Sequence, residues 1–391
     1  MKQLLILITL LFLCAESRTQ SIAEVLQSIE RNNKELQAYV QITRSKKLEA
    51  RAENNLPAPT LSYAHLWNNK DKNNTIGELV IAQSFDFPAT YFSRHKLNRL
   101  KRSVYDTEAE SMRRDLLLQA KELCLDIILL RRQQELLDIR RNNAQELSGI
   151  YQKKLQAGDA NILERNKINL ELLNIQTEST LNETALHTKL QELKAMNGDI
   201  PIQISALEYS RADLPGNYEE FRREIVEKDP LLRSLNNESE RMRQQVRVNQ
   251  AGWFPRLELG YRRNTESGEP FNGVVVGFSF PLFENRGKVR SVKAERLSVD
   301  LQREHTRIRI RSEIDQLYQE AIQLHQIMRE YEETLEAQSD LTLLRKALDG
   351  GQISMIEYFI EVGGIYQSRE TYLQLENQYQ KTLAKIFSSE L

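Results

Sequence analysis

Five histidines and two cysteines are the side chains of this 391-residue sequence best suited to metal binding or nucleophilic attack. The histidines, His65, His95, His187, His305 and His325, are scattered, and no two fall at a ligand spacing such as HxxxH. Cys14 and Cys124 are too few for a four-thiolate metal site or a disulfide framework. There is no GxSxG nucleophile turn and no HExxH helix, and the acidic residues are spread along polar stretches as on a solvated helix face. The inventory therefore points to no catalytic residue, no metal and no cofactor, and to a protein that is not an enzyme. With 54 Lys+Arg against 55 Asp+Glu, the chain also lacks the basic field that nucleic acid requires.

Punctuation by proline shows what the chain builds instead. The nine prolines fall at 57, 59, 88, 201, 215, 230, 255, 270 and 281, leaving 89–200 and 282–391 without any. Both proline-free stretches are rich in good helix formers. In the first, Leu116, Leu123, Leu130, Leu137, Ala144 and Tyr151 recur every seven residues; in the second, Ile310, Ile314, Leu317, Ala321, Leu324, Met328, Tyr331 and Leu335 alternate steps of four and three. That spacing predicts long paired helices with a coiled-coil seam. Each stretch is broken once by glycine, at Gly158 with Asp159 and at Gly350 with Gly351, followed by Asn161 or Ser354 as a helix cap. These are the marks of helical hairpins.

Period-two alternation appears in four places, about 58–67, 76–87, 255–263 and 273–283. Leu61, Tyr63 and Trp67 share one face; so do Leu79, Ile81 and Phe85, and so do Leu257, Leu259 and Tyr261. The loops WNNKDKNNT and RNTESGEPFN separate the members of each pair. Strands of about ten residues have the length a tilted transmembrane strand needs. Two isolated hairpins of this kind would be marginal in water.

The chain is one unit written twice, about 21–200 and 217–387. NNKELQAYV aligns with KDPLLRSL, LPAPTLSY with WFPRLELGY, AQSFDFPATYFSRHKL with GFSFPLFENRGKVRSV, and YQKKLQAGDANILE with LRKALDGGQISMIE. The offset drifts only from 196 residues at Pro59 and Pro255 to 193 at Gly158 and Gly351. Each copy reads helix, hairpin, long helix, turn, shorter helix. In the first copy Ser21–Asn54 and Asn161–Met196 together have 70 residues, against 69 for the uninterrupted Ala89–Ala157; in the second, Asn217–Ala251 and Ser354–Phe387 have 69 against 62 for Lys288–Asp349. Two short helices stacked end to end would thus run beside one long helix, giving a body of ~100 Å at ~1.5 Å per residue. Four strands cannot close a barrel, and open edges cannot face lipid, so copies of the chain must pool strands; a trimer would supply twelve, and closure arithmetic alone also permits a dimer.

Residues 1–20 read as an export signal, with Lys2 before an apolar run from Leu4 to Leu13 and cleavage expected between Ala15 and Ser21, leaving 21–391. The alternative is a lipoprotein signal in which Cys14 carries the acyl chain, against which stand the bulky Phe12 and Leu13.

At this point the residues resemble the TolC-like outer membrane efflux protein family, over about Ser21 to Phe387. The carrying motifs are the duplicated proline-led strand (PAPTLSY, FPRLELGY), the passage FSFPLFENRGK from strand to helix, and the glycine-turn-acid segments. The resemblance implies a mainly α protein with a small β part: long antiparallel coiled-coil helices in a duplicated unit, and four strands contributing to a trimeric 12-stranded outer-membrane β-barrel. It implies a location in the outer membrane of a Gram-negative envelope, extending into the periplasm. The implied role is the passive exit duct of a tripartite efflux or type I secretion system, for small molecules or ions. The implied partners are two further copies, outer membrane lipid, a periplasmic adaptor (membrane fusion) protein and an inner-membrane pump.

In that family acidic residues about six positions after the turn glycine ring and constrict the tunnel, which corresponds here to Glu164 and Glu357. An acid in a first helical turn is also favoured by the helix dipole alone. A second acid often found three residues further on is replaced by Ile360, with Glu361 adjacent. The turns carrying Gly158, Asp159, Gly350 and Gly351 are the implied adaptor-docking tips. The chain is short for the family and similar in this to ducts for heavy-metal cations. A periplasmic structural or adaptor coiled coil without membrane insertion is the competing reading, and the apolar, aromatic strand faces speak against it.

Overall fold

A computed structural model of the chain describes residues 21–70, 75–202, 204, 208–209, 214–266, 268–338 and 341–391. The expected export signal and Cys14 lie outside the described residues. In chain order the elements are α1 (Ile22–Asn32), α2 (Lys34–Ala52), β1 (Thr60–Trp67), β2 (Thr75–Phe85), α3 (Pro88–Ala157) and α4 (Ile162–Met196), then α5 (Tyr218–Lys228), α6 (Pro230–Ala251), β3 (Arg256–Glu266), β4 (Glu269–Ser279), α7 (Lys288–Gln338), α8 (Leu341–Asp349) and α9 (Met355–Ile386). The mainly α fold with a small antiparallel sheet is the one the sequence pattern implies. Among the described residues no helix is long and apolar enough to cross a membrane.

Two helices that the sequence pattern draws as continuous are divided. The first breaks at Asn33, whose backbone is extended (ψ 121°) and whose side-chain oxygen accepts the Leu36 N–H at 2.8 Å. Its counterpart breaks at Asp229, which accepts the Leu232 N–H at 2.9 Å ahead of Pro230. Asn and Asp compete with helical hydrogen bonding through their own side chains, and Pro begins a helix but cannot continue one.

The strands form one sheet in the order β1-β2-β3-β4, all antiparallel. The second hairpin is longer than its alternation suggests. β3 runs on to Glu266 and β4 starts at Glu269, so most of RNTESGEPFN is paired strand, with Asn264 opposite Phe271 and Thr265 opposite Pro270. The last pair before the reversal is Glu266 with Glu269, and Gly268 at φ +91° takes the left-handed backbone that glycine adopts freely. At the other end β4 stops at Ser279 rather than 283, before Pro281.

The chain divides into two compact units. Unit 1 holds residues 1–37, 112–225 and 312–391. One of its cores gathers Val25, Ile29, Leu36, Leu116, Ala120, Cys124, Ile127, Leu193 and Ile204. Around it Asn197, 1% exposed, accepts hydrogen bonds from Ser28 (2.9 Å) and Asn32 (3.1 Å), and Asn33 donates to the Met196 carbonyl at 2.8 Å. Gly198 has φ +66°, and a Cβ there would lie 2.6 Å from the Asn32 carbonyl oxygen, so this close approach admits only glycine.

Unit 2 holds residues 38–111 and 226–311, including the sheet. Here Lys101 pairs with Glu53 at 2.5 Å, Arg233 with Glu110 at 2.8 Å, and Ser239 donates to Asp300 at 2.5 Å. Phe87 and Phe254, which flank the sheet, stack at 4.7 Å.

Removing the two cap oxygens tests this account of the helix breaks. Asn33→Ala and Asp229→Ala are each expected to cost about 1 kcal/mol, the usual worth of an N-cap. The measurement is thermal unfolding of the detergent-solubilised protein followed by helical circular dichroism; unchanged transitions in both variants would remove the caps from the account.

Candidate functional site

The glycine turns and the acids behind them lie in unit 1, and both copies are built alike. α3 ends at Ala157 because Gly158 adopts φ +84°, and the Asp159 N–H then reaches back to the Lys154 carbonyl at 2.8 Å. α8 ends with Gly351 at φ +70° and the Gln352 N–H on the Ala347 carbonyl, also 2.8 Å. Each is a Schellman-type closure, in which a left-handed glycine lets otherwise unpaired carbonyls find donors. Gly350, which precedes the left-handed residue, has its N–H on the Lys346 carbonyl at 2.9 Å and still belongs to the helical pattern.

The next helix starts the same way in each copy. The Asn161 side chain accepts the Leu163 N–H at 3.0 Å, and Glu164 returns a carboxylate oxygen to the Asn161 N–H at 2.8 Å. Ser354 accepts the Glu357 N–H at 3.2 Å, and Glu357 accepts the Ser354 N–H at 2.7 Å. Both are capping boxes, which satisfy two orphan N–H groups reciprocally. These backbone and hydroxyl hydrogen bonds to Ser354 hold the Glu357 carboxyl below its ordinary value. Glu164 is half-buried and Glu357 exposed.

One apolar core joins the two turns. Leu147, Tyr151, Ile168, Leu348, Met355, Tyr358, Val362 and Tyr366 are buried together, with Ala160 and Ile353 of the turns packed against them. Burial, with the Glu164 charge second, raises the Tyr151 hydroxyl. Two arginines clamp the hairpins sideways. Arg345 of α8 reaches Glu146 of α3 at 3.2 Å and Asp349 at 3.3 Å. Arg140 of α3 holds Glu171 and Glu178 of α4, each at 2.7 Å, and lies 5.8 Å from the Tyr366 ring centre. The Tyr366 hydroxyl in turn accepts from Asn143 at 2.6 Å. Sequence reading missed these clamps, since an arginine in a charged helix shows no partner until the neighbouring helix is placed.

Large apolar side chains nonetheless remain outside. Leu163, Leu170, Leu173 and Leu181 on α4, and Ile356 and Ile360 on α9, are each more than half exposed. Exposed apolar stripes of this kind mark sites of interaction. Among the described residues no group of three or more His, Cys, Asp and Glu side chains could hold a metal ion.

In unit 2 the sheet has two unlike faces. The register sets Leu61, Leu79, Ile81, Phe85, Leu257, Leu259, Tyr261, Val274, Val276 and Phe278 on one side. The other carries mostly small or polar residues, among them Ser62, Ala64, Ala82, Gly260, Gly273 and Gly277, with Arg262 paired to Glu78 at 3.0 Å, interrupted by Leu66, Ile76, Val80, Phe271 and Val275. The apolar side is solvent-exposed, with Leu61 71%, Val274 80% and Phe278 64% accessible. β1 and β4 each have one unpaired edge.

Residues 222–389 match the family model described as Outer membrane efflux protein. No curated protein matches. Among solved structures the chain is similar to CusC, a protein described as forming a transmembrane channel, with a TM-score of 0.81 at 14% identity, covering 94% of this chain and 91% of that one. It is also similar to the outer membrane protein VceC of Vibrio cholerae (TM-score 0.77, 13% identity, 94% and 95% covered). The MtrE outer membrane channel of Neisseria gonorrhoeae in its open state follows at TM-score 0.77, 12% identity, 94% and 88% covered. The resemblance read from the residues is borne out: the second half carries the sequence signature of the outer membrane efflux proteins, and the whole chain has the fold of such channels.

Glu357 gives this site a pH signature. Its folded-state pKa lies below the unfolded value of 4.5, so its capping contribution is complete above about 4.5 and is lost as pH falls through the lower folded value. Hydrogen-exchange protection at the start of α9, referenced to the intrinsic rate at each pH, is therefore expected to fall on acidification below that range, and in Glu357→Ala to be low at every pH. A start of α9 whose protection in the native sequence ignores acid would contradict the capping role.

Proposed function

We propose that this chain is the outer-membrane exit duct of a tripartite efflux or type I secretion system, a passive channel through which small molecules or ions leave the cell. The sheet's two-faced pattern is the observation that carries the reading. An apolar, aromatic side with small and polar residues behind it suits a wall between lipid and water. Its unpaired edges call for strands from other copies, because lipid offers no hydrogen-bond partner. Three copies would bring twelve strands. The helices would continue the duct into the periplasm, with their exposed leucine stripes covered by neighbouring copies, and the two glycine turns would meet a periplasmic adaptor coupled to an inner-membrane pump.

In this reading Glu164 and Glu357 have two roles in one side chain. Each carboxylate caps its own helix, and in a trimer six of them would set a negative potential at the entrance, favouring cations and repelling anions. The Arg345–Glu146 and Arg140–Glu171 clamps would hold the entrance narrow, and a partner would open it by sliding the hairpins past one another.

Native mass measurement of the protein extracted from outer membranes in detergent is expected to report a trimer, and will also weigh any acyl chain on Cys14. A stable, water-soluble monomer would overturn the proposal.

Glutamine keeps a cap acceptor while removing charge, so the double variant Glu164→Gln with Glu357→Gln separates the two roles of the acids. Single-channel recording in planar bilayers is expected to show higher closed-state conductance and weaker cation preference. Native values for both would leave the acids as caps only.

A further inference from the structure

Resting on the membrane reading of the sheet, we propose that each copy holds the phosphate of an anionic lipid headgroup on its outward face, in a concavity walled by Arg263 and His65. The register places Tyr63, His65, Gly77, Arg263 and Thr265 on the same side as the apolar belt, at its end nearest the hairpin turns. Here these side chains line a hollow of about 370 Å³. Gly77 makes the hollow: it stands opposite both His65 and Thr265, and a Cβ on it would already lie 3.2 Å from the Tyr63 hydroxyl. Any larger residue would fill the floor.

The two adjacent arginines of β3 are treated differently. Arg262 points to the small-residue side and is paired with Glu78 at 3.0 Å. Arg263 points to the apolar side, where no described carboxylate pairs with it. A guanidinium on a lipid-facing wall is costly at the bilayer centre and is stable only near the interface. Arg263 lies three residues before the end of β3 at Glu266, level with Tyr63 and beside the hairpin turn, at the rim where the apolar belt gives way to headgroups. Phosphate is the anion available there, and the arginine fork matches its geometry. The Tyr63 and Thr265 hydroxyls add neutral donors, and the aromatic rings of Tyr63 and Trp67 are of the kind that settles at the headgroup level.

The test uses the assembled full-length protein in detergent, titrated with a diphosphorylated glycolipid, with its dephosphorylated form, and with inorganic phosphate, read by native mass spectrometry. The phosphorylated lipid is expected to bind, and Arg263→Gln to weaken it about tenfold, the effect of one lost charge-assisted contact. Arg263→Lys should retain part of the affinity, and Arg262→Gln, on the opposite face, all of it. Equal binding of the dephosphorylated lipid, or native affinity in Arg263→Gln, would overturn the site. Inorganic phosphate that binds as tightly and displaces the lipid would assign the hollow to a soluble anion and overturn the lipid. A chain that does not assemble or enter membranes would instead defeat the duct reading, so the two failures are distinguishable.

Discussion

Hydrogen bonding at the sheet edges is the constraint on which the rest depends. A strand pair satisfies its backbone only on the shared side, and β1 and β4 each leave a row of N–H and C=O groups open. In water such edges attract other chains, and in hydrocarbon each unsatisfied group costs several kcal/mol. An apolar outward face makes lipid the natural surroundings of this sheet, and then the edges require partners. Closure by copies is the solution that leaves the side-chain pattern unchanged. The same demand bears on the sheet's inner side, where glycine and alanine recur and Arg262 and Glu78 neutralise one another. Side chains converge on the concave side of a curved sheet, so small ones are favoured there.

The helical tips answer the same kind of demand by local means. Four N–H and four C=O groups at every helix end need partners, and here the turn residues supply them without help from the rest of the protein. The left-handed glycines close the carbonyl ends, and the capping boxes close the amide ends. A turn satisfied internally is free to change its neighbours without losing its own shape. The clamps differ in kind. Arg345 and Arg140 are each 20% exposed at the side chain, while their partners range from Glu171 at 20% to Glu146 at 65%, so the ties to the outer acids are the ones solvent screens.

How much of this was legible depended on whether a feature is local. The glycine turns, the caps at Asn161 and Ser354 and the strand faces rest on residues close in sequence, and they stand in the structure as the sequence implies. The breaks at Asn33 and Asp229 were also locally encoded, by an Asn-Lys-Glu and an Asp-Pro step, but long helical periodicity on either side masked them. The full length of β3 and β4 was hidden because Asn264, Thr265, Pro270 and Asn272 look like loop residues; pairing to a neighbouring strand outweighs their weak intrinsic preference. At the site, the position of Glu164 and Glu357 was readable, while their engagement with their own helix starts was seen only as a dipole preference. The arginine clamps and the hollow beside Arg263 were not readable at all, since each joins elements far apart in the chain.

The two copies of the unit are most informative where they disagree. The turns, the caps and the helix breaks occur in both, as expected of features fixed by backbone geometry alone. The passage from sheet to long helix does not. In the first copy β2 ends at Phe85 and α3 begins at Pro88, a proline at the helix start that needs no donor. In the second, eight residues separate Ser279 from Lys288, with Gly287 at φ +83° and with Phe280, Leu282 and Phe283 all more than 60% exposed. Asp86, largely buried, holds Arg94 at 2.7 Å and Arg256 at 3.1 Å, and Arg256 extends the chain of charges to Glu284 at 3.1 Å. One passage is thus short, the other longer, with a left-handed glycine and exposed apolar side chains, and the charge chain through Arg256 ties the two together. An exposed apolar loop at the foot of a lipid-facing sheet is unfavourable in an isolated chain and favourable against a neighbouring copy or the membrane surface. The asymmetry between the halves therefore has a physical meaning: the turns and caps, closed by their own backbone, are alike in both, and the sheet-to-helix passages are not.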